Sequence, residues 1–459
     1  MNISMPYGAA HIIRELNKHG YEAYIVGGCV RDSLLGKVPN DWDITTDAKP
    51  GEIKEIFKRT VDTGIQHGTV TVLIYPPEGQ KLESADREDG LETYEVTTYR
   101  VDGVYEDHRR PKDVTFTSKL EEDLKRRDFT INAMAYNDDA GVVDIFGGMD
   151  DLNKGIIRCV GNPDDRFDED ALRILRAVRF SAQLGFDIDE TTEHSISTHA
   201  MYLKDISAER IQVELTKLIT SGNPSKLVKA YELGLTRIIL PEFDAMMVTE
   251  QNNPYHMYNV GMHTIKVMEH ISPTPLLRYA ALLHDSGKPA CKATDEKGID
   301  HFYGHPEESE EICKTVLRRL KLDNSTVRNA CLLVRYHDYG MGEIPSPRAF
   351  RRFLAKLGRG NFHDFIQIKR ADIAGQSDYR MAEREELLDS LQRLYDTVIE
   401  QEQGLYISDL VIGGQELIAL GVKPGRQIGQ ILNKLLEEVL DNPEKNTREY
   451  LIDRAKELI

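Results

Sequence analysis

The stretch YIVGGCVRDSLLGKVPNDWDITT, residues 24–46, decides how the chain begins to fold. Tyr24, Ile25 and Val26 form an apolar run that meets Gly27-Gly28, and the pattern predicts a strand, a tight turn, a short helix, a loop and a second strand. Two adjacent glycines let backbone approach a ligand closely and leave helix amides free to meet an anion. Asp41 and Asp43 follow in DWDITT. Two residues apart on an extended chain, they point to one face. Carboxylates paired on one face beside a phosphate-cradling turn suit a divalent metal and a nucleoside triphosphate. Each half read alone is a tight turn or a pair of surface aspartates. It is the order GG, VRD, LLG, DxD that favours the chemical reading.

Outward from this stretch, the pattern predicts a helix at 9–19, a strand at 22–26, a strand from Asp41 to Thr46, a helix near 50–59 and strands at 67–75 and 91–101. The polar, breaker-rich segment 76–90 reads as an exposed hairpin loop. Strands with flanking helices to about residue 150 predict a small α/β head. From 165 onward the pattern is helical, so the chain as a whole is expected to be α+β. Its expected parts are a head at 1–150, a helical neck and body at 151–245, a third block at 246–400 and a tail at 401–459.

The 459 residues carry a formal net charge of −18. An acidic total argues against indiscriminate nucleic-acid binding and confines such binding to local basic patches. No apolar run approaches the roughly 20 residues of a membrane-spanning helix. The N-terminus lacks a basic start followed by an apolar core, so no signal peptide is expected. Five cysteines, Cys29, Cys159, Cys291, Cys313 and Cys331, are scattered without a C-x-x-C pair. They point to reduced thiols and the cytoplasm.

Three further segments bear on the head's chemistry. Glu95, on the neighbouring predicted strand, is a candidate third carboxylate beside Asp41 and Asp43. In LKRRDFTINAMA (124–135), Arg127 has the forked guanidinium that suits a triphosphate. Arg126 reads as a solvated charge, and Asp128 and Asn132 either orient groups in the site or cap a helix. In RFDEDALRILRAVRF (166–180), Asp170 and Arg173 are three apart and are expected on one helix face. Cytosine and adenine each present an exocyclic amino donor beside a ring-nitrogen acceptor. A carboxylate beside an arginine therefore pairs with C and A, and leaves U and G unpaired. Arg176 and Arg179 extend a positive row along the same helix. The plainer reading of the Asp170–Arg173 pair is an ordinary ion pair.

The segments GGCVRDSLLG…DWD, RRDFTINAMA, DIFGGMDDL and EDALRILRAVRF, with SAERIQVELTKLI and LPEF after them, resemble the successive motifs of class II tRNA nucleotidyltransferases. That family holds the CCA-adding enzymes and bacterial poly(A) polymerases, and the resemblance covers roughly residues 20–245. It implies a nucleotidyltransferase head, helical neck and body, the tRNA 3′ end as acceptor, and ATP and CTP as donors. By resemblance, Gly28 and Arg31 contact the nucleotide and Asp41 and Asp43 bind Mg²⁺. Arg127, Asp170, Arg173, Arg176 and Arg179 then complete the nucleotide pocket. The terminal ribose hydroxyl attacks the α-phosphate and pyrophosphate leaves. The segment 97–116 corresponds to a flexible loop that in the family accompanies addition of the terminal A. Its presence favours full CCA addition or A-only addition. The close rival is an A-adding enzyme or poly(A) polymerase.

In the second half, His263, His284-Asp285 and Asp372 occur in the order H…HD…D, with LLHDSGKP at the centre and Lys288 nearby. This resembles the HD superfamily of metal-dependent phosphohydrolases and implies a divalent metal there. His305 and His337 are candidate ligands for a second ion; each alone also reads as a packing histidine. A rival from another class is therefore a phosphohydrolase whose head only binds RNA. The segment 413–432, with Gly421, Gly425 and Gly429 around Lys423 and Arg426, resembles the family's tRNA-binding tail. Arg348, Arg351, Arg352, Lys356 and Arg359 form a basic cluster that is expected to face the tRNA.

Overall fold

A computed structural model describes residues 2–459 apart from 78–89, 104, 107–109, 112, 113, 341, 359 and 401–403. Most of the expected 76–90 loop, part of the 97–116 segment and Arg359 therefore lie outside the described residues. The chain divides into two compact units, Met1–Leu240 and Pro241–Ile459.

The first unit is built on a seven-stranded mixed sheet. Its spatial order is Gly141–Asp144, Met134–Asn137, Ala23–Val26, Ile44–Thr46, Glu92–Thr98, Thr69–Ile74, Thr60–Gly64. Only Ile44–Thr46 and Glu92–Thr98 run parallel, with Ile44 opposite Val96. Ala23–Val26 pairs antiparallel with Ile44–Thr46 on one side and Met134–Asn137 on the other. The buried Ile25, Val26, Ile44 and Val96 line the centre of the sheet, as a central strand with both faces covered requires. The helix Tyr7–Lys18 packs its Ile12, Ile13 and Leu16 face inward.

Two boundaries differ from the reading of the sequence. The second strand begins at Ile44, so Asp41–Asp43 form its extended lead-in rather than its first half. The alternation still holds, because Trp42 is buried while Asp41 and Asp43 face out. The expected continuous helix over 166–180 is broken into Pro163–Glu169 and Leu172–Leu184. Asp170 sits at the break with φ −142° and ψ 102°, so Asp170 and Arg173 do not share a helix face. Ala208–Ile219 and Lys226–Glu232 follow, with a short turn of helix at Thr236–Ile239 before the unit ends.

The second unit is almost entirely helical. Val260–Glu269, Pro275–Leu283, His305–Arg319, Asn324–Tyr336 and Phe362–Ala374 enclose a core that includes Ile265, Leu282, Val316, Leu333 and Ile368. A short hairpin, Ala293–Thr294 with Asp300–His301, interrupts them. The terminal helices Gly414–Ala419, Arg426–Asp441 and Arg448–Leu458 share a smaller core around Leu417, Leu435 and Leu451.

The basic cluster on Pro347–Leu357 is engaged with one of these helices. Arg348 and Arg352 pair with Asp441 at 2.5 and 2.8 Å. The buried Arg351 donates to the Leu440 carbonyl at 2.8 Å. These three cations meet the C-terminal end of Arg426–Asp441, where the helix dipole favours positive charge.

Candidate functional site

In the first unit, the strand Ala23–Val26 runs into Gly27, which has φ +82° and precedes the short helix Gly28–Leu34. A Cβ on Gly27 would stand 3.0 Å from Nη1 of Arg127. The glycine thus serves both the turn and the close approach of that guanidinium. The backbone of Asp43 is fixed to the same strand, its carbonyl accepting from the Val26 amide at 3.0 Å. The register Ile44–Val96 brings Asp43 alongside Glu95. Desolvation raises the Asp43 carboxyl above its ordinary value; Arg127 opposes this, and Glu95 and Asp41 reinforce it. Three mutually repelling carboxylates beside one guanidinium form a local site that favours a cation. Their ligand atoms do not form a tight three-ligand group of the kind found in the second unit.

The arginines are organised by buried carboxylates. Asp123 accepts from Arg126 at 2.8 Å and from Arg127 at 3.4 Å, and its side chain is wholly buried. Arg126 is therefore a packed ion-pair partner and not a solvated charge. Asn132 links two further cations. It accepts from Arg31 Nη1 at 2.7 Å and donates to Asp128 at 3.2 Å. Asp128 in turn takes Nε and Nη2 of Arg176 at 2.8 and 2.5 Å. Burial pushes the Asp128 carboxyl up, but Arg176 outweighs it and holds the group down at about 2. Asn132 and Asp128 thus orient arginines rather than cap a helix.

On Leu172–Leu184, Arg179 pairs with Glu214 at 2.8 Å. The guanidiniums of Arg31, Arg176 and Arg179 lie over the Phe180 ring at 5.1, 5.3 and 3.6 Å from its centroid. Such stacking fixes the planes of delocalised cations. The expected positive row is thus a ladder of neutralised pairs. Arg127 and Arg176 are its half-buried members, while Arg31, Arg173 and Arg179 are buried. Arg173 binds Glu169 and donates to the Arg126 carbonyl at 2.9 Å. Asp170 accepts from the Leu172 amide at 3.0 Å and from Arg210 at 2.7 Å. Arg210, Glu214 and Asp123 were not singled out in the sequence. Glu214 is a charge within the buried apolar face of Ala208–Ile219, whereas Asp123 lies among other charges in LEEDLK and carries no such signal.

In the second unit, six candidate ligands converge. His263 comes from Val260–Glu269, His284 and Asp285 from the end of Pro275–Leu283, and His305 opens its helix. His337 closes Asn324–Tyr336, and Asp372 lies on Phe362–Ala374. Asp285 Oδ2 lies 3.5 Å from His263 Nε2 and 3.2 Å from His284 Nε2. Its other oxygen, Oδ1, lies 3.3 Å from His305 Nε2 and 3.5 Å from His337 Nε2. Asp372 Oδ1 closes the first group at 2.9 Å from His263. One carboxylate thus joins two three-ligand groups. Lys288 Nζ sits 2.7 Å from Asp285 Oδ2.

Each imidazole is anchored through its other nitrogen. Nδ1 of His284, His305 and His337 meets the carbonyls of Ala281, Phe302 and Val334 at 2.7, 2.8 and 2.7 Å, and that of His263 meets the Gly375 carbonyl at 3.2 Å. A carbonyl only accepts, so Nδ1 carries the hydrogen and a neutral ring presents a lone pair at Nε2. Two such nitrogens face each other at 3.3 Å in His263–His284 and at 3.1 Å in His305–His337. Opposed lone pairs repel unless a cation lies between them. The residues fit divalent metal, with backbone carbonyls fixing ring orientation as metal-bound histidines require.

Comparison with known proteins places this geometry among relatives. A family model described as the poly A polymerase head domain matches residues 23–158. A model of the RNA- and SrmB-binding site of polymerase A matches 185–247, and one of tRNA nucleotidyltransferase domain 2 matches 305–455. The chain is 50% identical to the CCA-adding enzyme of Lactiplantibacillus plantarum, over 98% of this chain and 95% of that protein. It is 35% identical to the CCA-adding enzyme of Ligilactobacillus salivarius, over 98% and 96%. A crystal structure of the Bacillus stearothermophilus CCA-adding enzyme in complex with CTP superposes with a TM-score of 0.69 at 29% identity, covering 99% of this chain and 98% of that one.

Proposed function

The chain belongs to the CCA-adding enzyme family, and from that premise we propose that it builds or repairs the 3′ CCA end of tRNA from CTP and ATP without a template. The observation that carries this reading is the convergence of Gly27-Gly28, Asp41, Asp43, Glu95 and Arg127 beside the three central strands of the sheet. Gly28, Arg31, Arg127, Asp170, Arg173, Arg176 and Arg179 form the nucleotide pocket. Arg127 and Arg176, the half-buried cations, meet the triphosphate, and Asp123 and Asp128 hold them in position. Asp41 and Asp43 hold divalent metal, Mg²⁺ in this reading, which when bound supplies charge neutralisation of the phosphates and a more acidic attacking hydroxyl. The terminal ribose hydroxyl of the tRNA attacks the α-phosphate, and pyrophosphate leaves. The head at 1–150, neck and body at 151–245, metal-binding block at 246–400 and tail at 401–459 divide these tasks. No helix among the described residues is long and apolar enough to cross a membrane. The unpaired cysteines fit the cytoplasm.

The test is incorporation of labelled CTP and ATP into tRNA ending before CCA and into tRNA ending in CC. CTP addition to the first, followed by one A, is expected. Addition of A alone would make the protein an A-adding enzyme or poly(A) polymerase.

The facing Nε2 pairs favour a second activity in the same chain. His263, His284, Asp285 and Asp372 would hold one divalent ion and Asp285, His305 and His337 a second, and such ions would supply charge neutralisation and a more acidic water. A site of this kind hydrolyses phosphate esters. Metal analysis of the purified protein and of His284→Ala and His305→Ala should show two equivalents falling towards one. Full retention in both variants would overturn the assignment.

A further inference from the structure

A cavity of about 1150 Å³ opens over the six-ligand cluster, and Asp285, His305 and His337 line its floor. Its wall also carries an aromatic pair that metal binding does not require. The ring of Tyr303 lies parallel to that of His301, with centroids 5.4 Å apart and planes 6° from coplanar. His301 is itself held, its Nε2 3.1 Å from Asp295 Oδ2. Tyr303 is nevertheless 80% exposed. The phenol oxygen also meets His301 Nδ1 at 3.4 Å, so the two parallel rings are offset towards the hydroxyl end and the phenol ring keeps a solvated face. A flat π surface with a set orientation and a solvated face is what a nucleobase stacks on.

Position links this surface to the floor. Tyr303 precedes His305 by two residues, so their Cα atoms are at most about 7.6 Å apart. Gly304 between them takes φ +82° and turns the chain into the His305–Arg319 helix. Lys288 and Arg335 line the same cavity, each paired with a carboxylate of that lining, Asp285 at 2.7 Å and Glu307 at 2.6 Å. Floor, wall and rim together match a compound with a phosphate at one end and a planar heterocycle at the other.

We propose that Tyr303, backed by His301, is the base-binding platform of the second site, and that this site selects phosphate esters bearing a nucleobase. The ligand is a free nucleotide or the terminal nucleotide of a strand, which share this chemistry. The inference rests on the metal-site reading given above.

The test uses full-length protein with Mn²⁺ and 8-azidoadenosine monophosphate, supplied free or as the 3′ residue of an oligonucleotide. After irradiation, the labelled peptides are mapped by mass spectrometry. Label is expected on the peptide spanning 298–305, separate from any label in the head, and should fall roughly tenfold in Tyr303→Ala and persist in Tyr303→Trp. Labelling by the free probe alone assigns a small nucleotide; labelling by the oligonucleotide assigns a strand end. No label on that peptide, or equal label in Tyr303→Ala, overturns the platform. A parallel assay compares hydrolysis of adenosine monophosphate with that of p-nitrophenyl phosphate. The ratio of their kcat/KM values should fall roughly tenfold in Tyr303→Ala. Hydrolysis of p-nitrophenyl phosphate with no label at 298–305 refutes the platform and leaves the metal site standing. Label there with no metal bound and no hydrolysis does the reverse.

Discussion

The Asp170 carboxylate takes its 2.7 Å ion pair from Arg210, forty residues along the chain, while Arg173 gives its guanidinium to Glu169. The two groups expected to read a base are thus each held by a different partner. Arg210 Nη1 is buried and has no hydrogen-bond partner among the described residues. Removing Arg210 should free Asp170 to rotate and leave its acceptor oxygen unaimed. Arg210→Ala is expected to raise UTP and GTP incorporation relative to CTP roughly tenfold. Arg210→Lys should recover only part of the selectivity, because an ammonium lacks the planar fork. Single-nucleotide addition assays on tRNA lacking CCA measure both.

Asp41→Ala and Asp43→Ala should each lower nucleotide incorporation at least about 100-fold, more than the loss typical of groups that merely support a metal ligand. Tyr24–Val26 and Ile44–Thr46 remain paired without these side chains, so tRNA retention in a gel-shift assay should persist. Equal activity in either variant would rule out the carboxylates as metal ligands.

Asp128 links stability to pH. Its carboxyl has an ordinary value of 3.8 and lies at about 2 in the fold. A depressed carboxylate contributes stability that is fully present above its unfolded value and is lost as pH falls through its folded value. About 2 kcal/mol should therefore be present above pH ~4 and fade towards pH ~2. Asp128→Asn should remove it at neutral pH and flatten that acid limb, read from urea midpoints at several pH values.

Gly287 is a steric pivot of the second unit. A Cβ there would stand 2.6 Å from the His305 carbonyl and 2.7 Å from the Ser309 amide. Gly287→Ala must push the His305–Arg319 helix away, at a cost of about 1–3 kcal/mol. A lower melting temperature is expected, together with loss of the metal equivalent held by His305. Unchanged metal content would show that the helix shifts without carrying the ligand away.

Much of the first unit was legible because its signals are local. Apolar runs bounded by glycine and polar turns located the strands, and the alternation Asp41, Trp42, Asp43 located the outward face. The break at Asp170 was not legible. DEDALR contains neither Gly nor Pro, and its one local signal is Asp170, an aspartate whose carboxylate takes the Leu172 amide at the start of the next helix. The pairings Arg179–Glu214 and Arg176–Asp128 join residues 35 and 48 positions apart, a distance at which one sequence carries no pairing signal. The six ligands of the second unit were readable from residue type, because histidine and aspartate are the common donors to such ions. Their division by the two oxygens of Asp285 depends on side-chain geometry that appears only when five helices meet.

That meeting has a mechanical side. The ligands run from His263 to Asp372, so an ion bound there acts as a staple across a long contour of polypeptide. A staple of this sort restricts the unfolded chain and gains most when the enclosed loop is long. The second unit should therefore melt earlier, and less cooperatively, after a strong chelator strips it, while the sheet of the first unit keeps its own transition.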